Sequence, residues 1–228
     1  MKTLGIFLAS AAVMTVQAAV AAPPLSAVLA HEVTEQSADG VTRVTRYQER
    51  FIREGNNVWI ERLLPAWTKG QAYARKVQLD QDHNELDVQV APRLVRPAAN
   101  GGASLLLVDP KRRATFSAGP EDFEHLGFSG RWNAELSLID PASLSQMKLS
   151  TRPAEISGAH WYEQQTAADY TRILWSERLQ FPLAIETGAR DGRYSSSTSV
   201  SIASDKTPRR PWLQLRDYAA REMSDLGD

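Results

Sequence analysis

The side chains able to do chemistry are few and scattered along the chain. The histidines are His31, His83, His125 and His160. None pairs with another on one helix face or at alternate positions of one strand, the spacings that bring two imidazoles onto one metal. No serine sits in the glycine-flanked turn of a nucleophile elbow. Cysteine is absent, which removes thiolate nucleophiles, thiolate metal ligands and disulfides together. Asp80, Asp82 and Asn84 have the spacing that opens a calcium loop, but Glu85 stands where that loop needs glycine and Ala91 where it needs a bidentate glutamate. His83 among these acids reads as a solvated turn residue. Neither a metal nor a cofactor is expected.

The carboxylates give two further places to look. Glu121, Asp122 and Glu124 stand beside His125 and could serve acid–base chemistry, but negative charge at Glu121 and Asp122 is also what the first turn of a helix favours. Glu61 lies two residues from Trp59, and Glu177 two residues from Trp175. Strand residues two apart share a face, so each carboxylate would stand beside an indole, with ion pairing to neighbouring arginines as its ordinary role. These residues point to a non-enzymatic protein. The alternative, an enzyme with an unfamiliar site, would need polar groups converging in a pocket.

Six tryptophans, Trp59, Trp67, Trp132, Trp161, Trp175 and Trp212, each have two uses. In a core, a large apolar side chain contributes about 1.5–3 kcal/mol. In a hollow it lines a groove for an apolar guest. Trp59, Trp161, Trp175 and Phe181 are the expected ligand-binding set. The segments that follow Trp59 (WIERLLP) and Trp175 (WSERLQFP) share a local pattern, but no wider similarity makes them a duplication.

The elements that position these residues are mostly strands. Residues 171–202 read as three consecutive antiparallel strands around Ile173–Glu177, Leu183–Glu186 and Arg193–Ile202, separated by turn chemistry. Residues 41–65 read as a hairpin turning at Glu54-Gly55-Asn56-Asn57, with Tyr47, Glu49 and Phe51 on one face of its first arm. Leu105–Val108, turned by Asp109-Pro110, returns through Ala114–Phe116 as a second hairpin. A further strand is expected over Glu155–Gln165, and alternating apolar runs, Val77 and Leu79, then Leu86, Val88 and Val90, flank a turn over residues 81–85. Short helices are expected from Pro120 to Gly127 and from Asp140, with Asp140 as N-cap and Pro141 at the first helical position. Residues 23–37 carry Leu25, Val28, Leu29 and Val33 near helical spacing, and residues 211–226 carry Trp212, Leu215, Ala219, Met223 and Leu226 likewise. Both are expected to be helical.

Charge and targeting bound the setting. Lysine and arginine total 26 against 27 acidic residues, far from the basic excess that nucleic-acid binding needs. The clusters Lys111-Arg112-Arg113 and Arg209-Arg210 read as solvated turns. Met1–Ala21 has one basic residue, a short apolar run and the small-residue ending Ala19-Val20-Ala21, the layout of a secretory signal peptide cleaved near Ala21. No transmembrane segment is expected elsewhere, since no stretch approaches about 20 apolar residues. Residues 22–228 are expected to form a single periplasmic domain.

The exported leader, the early hairpin, Leu105–Val108 with Asp109-Pro110, and Ile173-Leu174-Trp175 followed by Pro182-Leu183 and Ile185-Glu186 before Asp191-Gly192 resemble the periplasmic lipoprotein-sorting (LolA/LolB-like) superfamily. The resemblance covers roughly a third of the chain. It implies an α+β fold: a strongly curved antiparallel sheet, an unclosed barrel, with short helices over its concave face and an apolar cavity between. Lipid or lipoprotein cargo is the partner it implies. A sensor or interaction module docking an envelope protein is the alternative.

Overall fold

The computed structural model describes residues 22–64, 86–203 and 209–227. The expected leader, Trp67, His83, the Asp80, Asp82 and Asn84 set and the apolar run at 77–79 lie outside them.

Twelve strands form one sheet: β1 (Leu25–Gln36), β2 (Thr42–Glu54), β3 (Asn57–Leu63), β4 (Arg93–Pro97), β5 (Ala103–Asp109), β6 (Ala114–Ser117), β7 (Lys148–Leu149), β8 (Ala159–Gln165), β9 (Asp169–Ser176), β10 (Phe181–Ala189), β11 (Tyr194–Ile202) and β12 (Ala219–Glu222). Their order across the sheet is β12-β6-β5-β4-β3-β2-β1-β11-β10-β9-β8-β7. The sheet is curved and unclosed, and every pairing is antiparallel except β12 on β6. It is made of two meanders. β1 to β6 run outward from the middle in chain order, β7 to β11 run inward, and β1 joins β11 from Ala27↔Ile202 to Glu35↔Tyr194.

Strand alternation divides the side chains between two faces. The register puts Leu25, Ala27 and Leu29 of β1 beside Arg53, Phe51 and Glu49 of β2, and continues through Val58, Val95 and Leu105. This first face is covered by residues 120–147. Leu126 and Phe128 pack on the β1–β6 half, and Leu144 packs on Ile173 and Trp175 in the other half. On the second face, Ile52, Trp59, Leu94 and Val108 lie under Trp212, whereas Trp161, Leu174 and Leu183 form a separate cluster.

The three-strand reading of residues 171–202, both hairpins and the Asp140 cap are found as expected. Asp140 accepts a hydrogen bond from the Ala142 amide at 3.1 Å and opens a 3₁₀ helix over Pro141–Gln146. Pro182 is tolerated inside β10 because β11 pairs only from Ala184 onward and the β9 ladder is interrupted between Pro182 and Ala184.

Four expectations differ from the structure. Residues 23–37 hold β1, not a helix: Leu25, Ala27 and Leu29 are buried alternately, and that period of two, reinforced by neighbouring strands on both sides, overrides the looser helical spacing. Residues 211–226 hold no continuous helix but a 3₁₀ helix over Pro211–Asp217, then β12, then a 3₁₀ turn. Their apolar residues serve different faces, Trp212 and Leu215 the second, Met223 and Leu226 the first. The helix expected from Pro120 to Gly127 is a 3₁₀ turn over Pro120–Asp122, and the strand expected from Glu155 starts at Ala159. Among the described residues one α-helix, α1 (Trp132–Ser137), was not expected. The short helices are therefore shared between both faces rather than gathered over one.

Candidate functional site

The β2–β3 ladder ends at Gln48↔Leu63, while β2 continues back to Thr42 against β1 alone among the described residues. At this step in the sheet an open groove of about 740 Å³ is bounded by Leu63, Leu64 and Val90. Leu64 is 50% and Val90 37% exposed. Its polar lining comes from three adjacent strands: His31 and Glu32 of β1, Arg46 and Tyr47 of β2, and Ser197 and Ser199 of β11, with Arg62 from β3.

The register explains how these side chains meet. His31 lies opposite Tyr47 and opposite Thr198, and Glu49 lies opposite Arg62, so all five belong to the first face. The His31 and Tyr47 rings stack at 4.6 Å with an interplanar angle of 23°. The Arg62 guanidinium lies 3.5 Å above the Tyr47 ring, giving a layered stack of imidazole, phenol and guanidinium across three strands. His31 Nδ1 is 2.9 Å from Thr198 Oγ1, and its Nε2 is 3.2 Å from a Glu49 oxygen. On the second face, Arg46 Nε donates to Glu32 at 2.6 Å.

The electrostatics follow from burial and these contacts. Burial pushes the Glu49 carboxyl up, but its contact with His31 and the charges of Arg62 and Arg93 more than reverse this and hold it below the usual carboxylate range. Burial, with the Glu49 charge beside it, pushes the Tyr47 phenol up. Glu49 is thus an anion and Tyr47 a neutral hydrogen-bonding group at neutral pH. No three histidine or acidic side chains among the described residues gather as a metal site would require.

Trp59, Trp161, Trp175 and Phe181 fall in four separate clusters and are not brought together. Trp59 and Trp161 are on the second face, 4% and 6% exposed, and Phe181 is fully buried against Phe51 at 4.8 Å. Trp175, 2% exposed, lines a smaller pocket of about 290 Å³ with Leu144, Tyr162 and Glu177. Trp59 and Trp175 face opposite sides of the sheet, so their shared local pattern builds no common cavity. Glu61 takes the ordinary role: it pairs with Arg50 and accepts from the Trp59 indole at 2.9 Å. Glu177 is exposed and accepts weakly from Gln180 at 3.4 Å. His125 lies 3.9 Å from Asp122, and His160 is exposed beside Trp161 on β8.

Tyr47 and Arg62 at the groove, with Glu49 packed beside them against His31, are residues that type alone does not single out. Tyr47 and Glu49 are legible as face-mates in the first hairpin. Adding His31 requires reading β1 as a strand, and adding Thr198 requires knowing that β1 pairs with β11.

No protein-family model matches the chain, and no curated protein does. Solved structures similar to it include PNGF-II, with a TM-score of 0.41 and 7% identity over 87% of this chain and 31% of that one. This chain thus spans less than a third of PNGF-II. A LolA superfamily protein from Nitrosomonas europaea is similar with a TM-score of 0.36 and 11% identity, over 83% of this chain and 89% of that one. A DUF1329 family protein from Desulfovibrio piger is similar with a TM-score of 0.34 and 10% identity, over 89% of this chain and 92% of that one.

Proposed function

We propose that the protein is an exported envelope protein that binds an apolar or lipid-like ligand without catalysis, and that the groove beside Leu63, Leu64 and Val90 is where it binds. The observation that carries this is the groove itself. Its volume of about 740 Å³ is within the range of small-molecule sites, about 300–1,000 Å³, and it combines exposed aliphatic walls with a few fixed polar groups. Binding is favoured over acid–base chemistry because the carboxylates at the groove are engaged, Glu32 by Arg46 and Glu49 by His31. Trp175 and its smaller pocket are a secondary candidate for the same class of ligand.

Native mass spectrometry of the chain purified gently from a periplasmic extract tests the reading. A co-purifying acyl species, lost in organic solvent and lost again in Leu64→Asp, is the expected result. A clean apo mass for the wild type, with no uptake of added lipid, would remove it. The second reading, an interaction module, draws on Leu149, which is 65% exposed on β7 at the edge of the sheet, and on Ile156, 49% exposed in the loop before β8. There, Leu149→Lys would abolish capture of a protein partner and leave lipid uptake unchanged.

A further inference from the structure

One turn carries a reaction of its own, apart from the groove and whatever occupies it. The chain has five asparagines, Asn56, Asn57, Asn84, Asn100 and Asn133, and Asn100 alone is followed by glycine. Asn100 and Gly101 are both exposed in the loop between β4 and β5.

This loop brings the side-chain amide to the next peptide nitrogen. Asn100 Oδ1 accepts a hydrogen bond from the Gly102 amide at 3.0 Å, an Asx turn in which the side chain mimics a stretch of main chain. That closure folds Cγ back toward the Gly101 nitrogen, the atom with which it would complete a five-membered ring, so the reacting pair is held together beforehand. The Gly102 N–H also rests on the oxygen where charge develops when a nucleophile adds to Cγ. Gly101 has a φ of 82°, and nothing beyond its chain neighbours lies within 4 Å of where a Cβ would stand, so the approach is open. The reaction gives up one hydrogen bond, from the Gly101 amide to the Ala98 carbonyl at 3.1 Å.

The other described asparagines lack this arrangement. Asn57 Oδ1 accepts from Arg96 at 2.9 Å, and the buried Val58 follows it. Asn133 lies inside α1, and Asn56 is followed by a residue with a side chain, which crowds ring closure as glycine does not.

We infer that Asn100 is a self-modification site whose only co-reactant is water. The Gly101 nitrogen adds to Asn100 Cγ, its proton leaves with the departing ammonia, and water opens the cyclic imide to an aspartyl or an isoaspartyl residue. Either product puts a new carboxylate at position 100. The isoaspartyl form also lengthens the main chain by one carbon. It does so inside a loop closed by the Ala98 amide on the Gly102 carbonyl at 2.9 Å, with the Ala103 amide tied to the Gly130 carbonyl at 2.8 Å. Both bonds should open in that form.

Peptide mapping by mass spectrometry of the folded protein, after prolonged incubation in mildly alkaline buffer, tests this against a urea-denatured sample. Asn100 is expected to convert in the folded sample, faster as pH rises because the attacking nitrogen must lose its proton, while Asn56, Asn57 and Asn133 stay amides. Asn100→Gln, whose ring closure would be six-membered, should stay intact, and hydrogen exchange at the Ala98 and Ala103 amides should speed up in the isoaspartyl fraction. Asn100 intact in the folded sample but converted in urea overturns the inference, because the turn would then protect the amide. Asn100 intact in both samples overturns it as well, and conversion of Asn56 or Asn57 as fast as Asn100 overturns the assignment to this turn.

Discussion

Arg53 is fully buried, and a fully buried arginine must have its donors satisfied. Its Nε donates to the Pro23 carbonyl at 3.0 Å, Nη1 to Leu136 and Gln180 at 3.0 and 3.1 Å, and Nη2 to Leu179 at 2.6 Å. Phe181 lies under the guanidinium at 5.3 Å. One side chain thus ties together the chain before β1, α1 and the β9–β10 turn. In a protein without cysteine this is a non-covalent staple. Burial pushes its pKa down to about 10, so it stays charged at neutral pH. Arg53→Met leaves four carbonyls unpaired and is expected to cost about 3 kcal/mol or more, read from the denaturant midpoint. Arg53→Lys should recover little, because a point charge cannot reproduce the fork. A buried arginine on β2 could be placed on the core face from sequence alternation, but its partners are backbone carbonyls distant in the chain, which residue types do not encode.

Glu49 gives the pH dependence at the same scale. Its folded pKa lies below the ordinary value of 4.5, so its contribution to stability is present above about pH 4.5 and is lost as pH falls through the lower folded value. Denaturation midpoints of wild type and Glu49→Gln should therefore differ near neutrality and converge in acid. Midpoints that stay parallel down to low pH would show that the ionised Glu49, with its His31, Arg62 and Arg93 neighbours, contributes nothing.

Among the elements, β10 shows what each strand position demands. Gly188 is cross-strand to Tyr170 and Ser195, and an added Cβ would lie 2.8 Å from both the Tyr170 hydroxyl and the Tyr194 carbonyl oxygen. The backbone oxygen cannot step aside. Gly188→Ala is expected to cost about 1–3 kcal/mol by overpacking, measured by thermal unfolding. Asp140→Ala should cost about 1 kcal/mol through loss of its cap, with little change at the distant groove. The hairpins and this cap were legible because their signals are local: turn residues, strand alternation and an N-cap followed by proline. β1 was not, because Leu25, Val28, Leu29 and Val33 satisfy a helical spacing until neighbouring strands supply ladders on both sides. The segment from Trp212 to Leu226 failed for a related reason. Its apolar residues recur every three or four positions, yet the chain crosses from one face of the sheet to the other between Leu215 and Met223.

At the scale of the whole molecule, the sheet has packed cores on both faces, and the C-terminal segment completes the second. Arg210 pairs with Glu54 at the β2–β3 turn, and Trp212 then covers Ile52, Trp59, Leu94 and Val108. Trp212→Ala should cost about 3 kcal/mol and make the uncovered cluster of Ile52, Trp59, Leu94 and Val108 bind a hydrophobic dye. No described helix is long and apolar enough to cross a membrane. The antiparallel character of the sheet was legible from strand patterning, whereas its order was not, because the central pairing joins its first and last long strands.

That central seam has a kinetic consequence. The His31–Thr198 contact spans 167 positions, so the inner edge of β1 has no strand to pair with until β11 has emerged from the ribosome. Closing so long a loop makes the seam a late and slow event, and until then the first meander presents a bare strand edge to other chains. Refolding should slow most when the seam is weakened, and a permuted chain that brings β11 directly before β1 should fold faster than the natural order.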